Sequence, residues 1–156
     1  MSFQAMCWLL LAAYMIHVLE EFALDWRAWA QAVLKLPVDW PTFYVTNAGV
    51  VVLGIVAAQT ADELPILGLS YAALMLINAT FFHVLPFVLF RWRFSPGLIT
   101  AVFLFYPAAI SAYAIAFNAG HLGFTGIAGS IAVGAILMAY PIVLLRLKGL
   151  PFFKQS

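Results

Sequence analysis

Five long apolar stretches constrain this chain more than any other feature of its sequence. A membrane-crossing helix needs roughly 20 mostly apolar residues, at a rise of about 1.5 Å each. The stretches meet that length or nearly do, and no segments of alternating polarity suggest a barrel. The sequence therefore predicts an all-α, polytopic membrane helix bundle, a single domain over residues 1–156. Its five transmembrane helices are expected at about residues 4–24, 41–58, 64–90, 97–117 and 122–145.

The composition excludes a water-exposed globule. Only 8% of the residues are charged and 66% are hydrophobic, whereas a soluble domain carries roughly a quarter charged residues. Nucleic-acid binding through a basic surface is therefore excluded. Cys7 is the only cysteine, which excludes a disulfide-bonded secreted scaffold. The expected partners are membrane lipids and a lipophilic small-molecule substrate, and a homo-oligomer stays open.

The basic residues predict how the bundle lies in the membrane. With five spans, the first connection, the third connection and the C-terminal tail share one side. Every Lys and Arg falls in these three places, so the positive-inside rule predicts an outer N-terminus and an inner C-terminus. The residues concerned are Arg27, Lys35, Arg91, Arg93, Arg146, Lys148 and Lys154.

The first connection has the pattern of a short amphipathic helix over residues 26–36. Apolar side chains recur at helical spacing, while the polar side chains share another face. We expect this helix to lie in the interface on the basic side. It either anchors the chain or flanks a lateral entrance for lipids. The apolar residues are Trp26, Trp29, Ala30, Val33 and Leu34, and the polar ones are Arg27, Gln31 and Lys35.

The first stretch ends in ionisable residues that lipid should forbid. Such side chains inside a span cost several kcal/mol and usually mark function. At about 100° per residue, Glu20 lies about 60° to one side of His17 and Glu21 about 40° to the other. One imidazole and two carboxylates are therefore predicted on one helix face. Tyr14 lies about 60° round on the Glu21 side.

A second histidine is predicted at the same depth. His83 and His17 each lie seven residues before the end of their predicted span, roughly 10 Å from the same membrane face. Asn47 falls in this layer from the second span. Asn78 lies deeper and points away from His83 on an ideal helix. It joins the site only if Pro86 or a local bulge rotates the turn.

Two imidazoles and one or two carboxylates form a plausible ligand set for a divalent metal, either zinc or iron or manganese. The expected ligands and catalytic residues are His17, Glu20, Glu21 and His83. His17, Glu20 and His83 would form a three-ligand set, with Glu21 as general base or fourth ligand. Substrate contacts are expected from Tyr14, Asn47, Asn78 and Tyr140. Metal-free acid-base chemistry and a purely structural polar cluster stay open.

Three functions fit these residues. The first is a membrane enzyme that performs hydrolysis or proton-transfer chemistry, such as isomerisation, on a membrane-soluble substrate. The second is a small carrier that binds a proton, metal ion or ligand at the same residues. No inverted repeat and no glycine-rich broken helix, the usual pointers to a transport site, is visible in the sequence. The third is an accessory subunit of a larger membrane complex.

The motif His17-Val18-Leu19-Glu20-Glu21 resembles that of the HXXEE family of small bacterial integral membrane proteins. The resemblance covers most of the chain and extends to Asn78 with His83 and to the Pro96-Gly97 step. A tyrosine often precedes that step by two residues in the family, and here Phe94 takes its place. The resemblance implies a multi-pass protein of the bacterial cytoplasmic membrane with a metal or catalytic centre, and it brings no known substrate.

Overall fold

The computed structural model describes residues 1–120, 122–148, 150 and 152. In this part of the chain the regular elements are all helices, and five of them are long and apolar enough to span a membrane. The predicted all-α bundle with five spans is therefore confirmed, and each helix end lies within three residues of the predicted one. The spans are α1 (Phe3–Ala23), α3 (Trp40–Gln59), α4 (Pro65–Leu89), α5 (Leu98–Asn118) and α6 (Phe124–Lys148).

A short helix, α2 (Trp26–Trp29), follows α1 and continues as a π-helical turn over Ala30–Leu34. This element ends earlier than the predicted helix over residues 26–36, because Lys35 adopts a left-handed conformation with φ of 57°. Its two faces differ as expected. Trp29 and Ala30 are buried, whereas Gln31 is exposed.

Helix α4 lies at the centre of the bundle and contacts each of the other four spans. Its closest neighbour is α6, where a Cβ atom placed on Gly134 would lie 2.7 Å from Ala73 Cβ. Small residues allow this approach of two helix backbones. Helix α6 has far fewer contacts with α3 than it has with α4. A cavity lies between α3 and the C-terminal half of α6.

The described basic residues lie at one end of the bundle, because five spans alternate in direction. An ion pair joins two parts of that end: Lys148 at the end of α6 donates to the Asp39 carboxylate before α3. Lys148, together with hydrogen bonds from Thr42, holds the Asp39 pKa well below its ordinary value. Lys154, which the sequence assigns to the same side, lies outside the described residues. The orientation of the bundle across the membrane stays a prediction.

Two spans contain a π-helical segment, over Ala79–Val84 in α4 and Ala101–Phe105 in α5. Each segment ends two residues before a proline, Pro86 and Pro107. Proline has no N–H to donate to the preceding turn, so the local ladder must be rearranged. A π turn inserts one residue and rotates the helix face that follows. Both segments lie beside the polar layer described next.

Candidate metal centre

Three buried side chains from α1 and α4 converge on one point. Glu21 Oε1 lies 3.5 Å from His17 Nε2 and 3.5 Å from His83 Nε2. All three atoms lie within 4.8 Å of one another. The two histidines are 1% and 0% exposed, and their rings meet edge to face at 4.8 Å. The matched depth predicted from the sequence therefore brings the rings into contact.

The two adjacent glutamates have different surroundings. Glu21 faces the histidines, whereas the Glu20 carboxylate turns to the start of α5. It accepts hydrogen bonds from the backbone N–H groups of Gly97 (3.1 Å), Ile99 (3.2 Å) and Thr100 (2.8 Å). These N–H groups have no partner within the helix, and a carboxylate is favourable at a helix N-terminus. The structure thus places Glu21, and not the predicted Glu20, with the two histidines.

A hydroxyl group connects Glu20 to the back of His17. Thr100 Oγ1 donates to Glu20 Oε2 at 2.6 Å and lies 2.8 Å from His17 Nδ1. Since the hydroxyl proton goes to the carboxylate, the hydroxyl oxygen accepts from His17 Nδ1–H. Nε2 of this tautomer then carries a lone pair. The lone pair is the donor that a metal requires, and such outer partners normally orient histidine ligands.

His83 is held in a similar way from the loop before α5. Its Nδ1 lies 3.1 Å from Ser95 Oγ. That hydroxyl also lies 3.4 Å from the carbonyl oxygen of Phe82 and 3.5 Å from that of Pro96, which can only accept. The pattern favours donation from His83 Nδ1–H to Ser95, which again leaves a lone pair on Nε2.

The convergence point therefore contains acceptors and lacks a donor. The Nε2 atoms of His17 and His83 are buried without a hydrogen-bond partner, and each lies 3.5 Å from Oε1 of Glu21. Buried polar groups without partners are costly. A single proton on Glu21 could form a hydrogen bond with only one of the two nitrogens. A single divalent cation could be coordinated by both nitrogens and the carboxylate oxygen.

The spacing also fits a metal ion. A tetrahedral zinc ion at about 2.0–2.1 Å from its ligands holds the ligand atoms roughly 3.3 Å apart. The two nitrogen-to-oxygen distances of 3.5 Å are close to this value, and the three ligand atoms all lie within 4.8 Å of one another. Two histidines and one glutamate are a ligand set found at catalytic zinc, where a further position stays open.

Gly97 forms the back wall of the histidine pair. A Cβ atom placed on it would lie 2.6 Å from His83 Cε1 and 2.7 Å from His17 Cε1. Its φ of +92° is also a conformation that L side chains rarely adopt. Both observations require glycine here. The Pro96-Gly97 step, noted in the sequence, therefore packs directly against the centre.

The π-helical segment of α4 changes the position of Asn78. Residues five apart lie about 140° apart on an ideal α-helix, but a π turn bonds residue i to residue i+5 and brings them to one side. Asn78 and His83 are five residues apart across this segment. The bulge on which the sequence prediction depended is present, and Asn78 lines a cavity together with Glu21.

This cavity, of about 80 Å³, opens beside Glu21 between α1, α2, α3, α4 and α6. Tyr14 and Asn47 line it and contact each other, with the Tyr14 hydroxyl donating to Asn47 Oδ1 at 2.6 Å. Three of the four predicted substrate contacts, namely Tyr14, Asn47 and Asn78, therefore line one cavity. The fourth, Tyr140, does not line it. Its side chain is 40% exposed and faces Gly49 on the outside of the α3–α6 gap.

A family model described as "Protein of unknown function with HXXEE motif" matches residues 8–114. The chain belongs to the HXXEE family. The match includes the motif in α1, His83 in α4 and the start of α5, and it ends before α6. Among the curated proteins there is no match to this HXXEE chain, and among the solved structures there is none either.

Sequence reasoning on this HXXEE protein missed Ser95 and Thr100, which hold the backs of the two histidines. A signal existed for the contact between Glu20 and the start of the fourth span, which includes Thr100. The fourth span begins at the same end of the bundle at which α1 ends, and it begins with Gly97, which has no capping side chain. A buried helix start needs an acceptor from elsewhere, and Glu20 is the only acid at that depth besides Glu21.

Proposed function

We propose that this chain is a membrane-embedded enzyme that holds a divalent metal ion with His17, Glu21 and His83 and acts on a membrane-soluble substrate. One observation supports it most: two buried imidazole nitrogens and one carboxylate oxygen converge with no donor among them. Zinc, iron and manganese suit this mixed nitrogen and oxygen set. The proposed location is the bacterial cytoplasmic membrane, and the proposed partners are membrane lipids and a lipophilic small molecule.

A divalent ion supplies Lewis-acid chemistry, because it polarises a carbonyl or phosphoryl oxygen and lowers the pKa of a bound water molecule. The protein residues would do the rest. Thr100 and Ser95 would hold the histidine tautomers, and Glu20 would hold Thr100. Asn78 Oδ1 has no partner and lines the cavity beside Glu21, so it would orient a substrate donor or a water molecule. This arrangement suits hydrolysis or a proton transfer.

Metal content of the detergent-purified protein tests the proposal. After loading with Zn²⁺, Mn²⁺ or Fe²⁺ and removal of free ions, we expect about one ion per chain in the wild type. His17→Ala, His83→Ala and Glu21→Gln should each retain less than about a tenth of it, because each removes one of three ligands. Glu63→Gln is the matched control, since Glu63 is an exposed acid in the turn before α4.

Wild-type protein that retains no ion after loading would refute the metal centre. Whether the bound metal supports a reaction requires a second measurement. The loaded wild type and the loaded Asn78→Leu variant are incubated with a bacterial lipid extract, and products are compared by mass spectrometry. A product formed only by the wild type supports the enzyme. Metal flux into proteoliposomes with an unchanged lipid profile would instead identify a carrier, the alternative predicted from the sequence.

A further inference from the structure

The cavity beside the metal centre is polar at some positions and apolar over most of its wall. Aliphatic and aromatic side chains from α3, α4 and α6 line it, and they include Val50, Leu74, Phe82, Leu137 and Ile142. On α3 its lining extends from Thr42 to Val50, and on α6 from Leu137 to Leu145. Each stretch corresponds to about 12 Å of helix. The cavity thus extends along two helices, has a volume of about 80 Å³, and is lined by Glu21 on the side of α1.

Three residues that line this cavity each have a buried polar atom without a hydrogen-bond partner. The atoms are Trp26 Nε1, Thr46 Oγ1 and Asn78 Oδ1. An indole N–H can only donate, and an amide oxygen can only accept. Because such groups are costly to leave unpaired, a fitting occupant offers both an acceptor and a donor. Water could pair with these atoms, but it would leave the apolar walls of α3 and α6 in contact with solvent.

The cavity also approaches the surface of the bundle that faces lipid. A groove of about 250 Å³ lies between α3 and the end of α6, lined by Pro41, Thr42, Val45, Leu144 and Lys148. Thr42 lines both the groove and the cavity. Thr42 thus separates the cavity beside Glu21 from the groove on the surface of the bundle. Trp26 of α2, the helix whose sequence fits the border of a lateral lipid entrance, lines the cavity itself.

We propose that this cavity binds an amphiphile with one apolar chain and a compact head that carries both a hydrogen-bond donor and an acceptor. The chain lies between α3 and α6, and the head lies beside Glu21. This inference rests on the proposed metal centre and adds the substrate class to it. A two-chain lipid does not suit a cavity of about 80 Å³, and a water-soluble substrate does not suit its apolar walls.

Hydroxamates of two lengths test the inference, because the same head binds a metal ion and carries a donor and an acceptor. Co²⁺-loaded protein in nanodiscs is titrated with octanohydroxamate and with acetohydroxamate, and the Co²⁺ absorption bands report binding. Leu137→Trp fills the cavity from α6, and Val50→Phe fills it from α3. Ile136→Trp is the matched control, because Ile136 is 70% exposed on the lipid side of α6.

We expect Leu137→Trp and Val50→Phe to weaken octanohydroxamate binding at least about tenfold, because chain burial provides most of its affinity. Acetohydroxamate binding should change less than about twofold, and Ile136→Trp should behave as the wild type. Unchanged Co²⁺ bands in the variants show that they fold. Equal octanohydroxamate affinity in all of these proteins, with Co²⁺ bound, would overturn the inference alone. Absence of Co²⁺ bands in the wild type would overturn the metal centre and this inference together.

Discussion

At the scale of single residues, the two adjacent glutamates show how one position along a helix separates two roles. Glu21 lies four residues after His17 and reaches the same point as His83. Glu20 lies on the other side of His17 and accepts four hydrogen bonds from the start of α5. Four donors match the roughly four lone-pair positions of a carboxylate. Glu20 therefore contacts His17 only through the Thr100 hydroxyl, and in the proposed centre it positions this histidine.

Thr100 provides a test of this positioning role. Thr100→Val keeps the shape of the side chain but removes the hydroxyl that joins Glu20 to His17 Nδ1. Because partners of this kind fix ligand orientation, their loss typically costs 10- to 100-fold in metal affinity. We expect a loss of that size in competition with a chelator, and recovery of most of it in Thr100→Ser.

Ile99→Val is the neighbouring control. Ile99 is 52% exposed and contacts Glu20 only by its backbone N–H, which the substitution retains. Metal affinity should therefore stay within about twofold of the wild type. A Thr100→Val variant that binds metal as tightly as Ile99→Val would show that the hydroxyl has no part in holding His17.

At the scale of elements, the start of α5 and the π-helical segments position the centre. The carboxylate of Glu20 completes the N-terminus of α5 and so joins α1 to α5. The segment Ala79–Val84 brings His83 and Asn78 to one side of α4. π-helical insertions are often found at functional sites. Here the insertion accounts for a side-chain position that an ideal helix would not give.

Gly97 is the residue at the start of α5 whose substitution tests this arrangement. Gly97→Ala should weaken metal binding at least about tenfold, because the added Cβ would lie 2.6 Å and 2.7 Å from the two histidine rings. It also carries the cost of a left-handed alanine, roughly 1–2 kcal/mol. Metal affinity and the thermal unfolding midpoint of the purified protein measure the two effects.

Gly120→Ala separates these effects. Gly120 also has a positive φ, of +73°, but a Cβ atom there would meet no atom within 4 Å. This variant should lose some stability from backbone strain and keep the metal affinity of the wild type. If both variants bound metal equally well, contact with the histidines would not be the reason for glycine at position 97.

At the scale of the whole molecule, the bundle places its candidate centre near one end. His17, Glu21 and His83 lie in the last third of α1 and of α4, at the end where the described basic residues also lie. The predicted orientation makes this the cytoplasmic side. The ion pair between Asp39 and Lys148 links the loop before α3 to the end of α6 at that same end.

Cysteine labelling in whole cells and in permeabilised cells tests the orientation. In a Cys7→Ala background, a membrane-impermeant maleimide should label Ser2→Cys and Glu63→Cys in intact spheroplasts. Arg91→Cys and Ser156→Cys should react only after permeabilisation, because the odd number of spans puts them on the opposite side. Labelling of Ser2→Cys and Ser156→Cys from the same side would contradict the topology.

The sequence alone determined the number and approximate bounds of the spans, because apolar length is a local property that lipid enforces. It also determined that His17 and His83 share one depth, since depth follows from rise along a straight helix. The sequence did not determine how each helix is rotated about its own axis. The expected set of His17, Glu20 and His83 took Glu20 as the ligand, and both glutamates lie within about 60° of His17 on an ideal helix.

Only the tertiary structure decided between the two glutamates. Which glutamate joins the histidines depends on the neighbour that each face of α1 meets. Glu20 faces the start of α5, where backbone N–H groups and the Thr100 hydroxyl donate to its carboxylate. Tyr140 lies outside the cavity for the same reason, since the rotation of α6 is set by its packing on α4 at Gly134. The position of Asn78 needed a π-helical segment whose occurrence a proline suggests but does not determine. Local composition determines the depth of each residue along the membrane normal. Contacts between helices determine how each helix is rotated and therefore which neighbour each side chain faces.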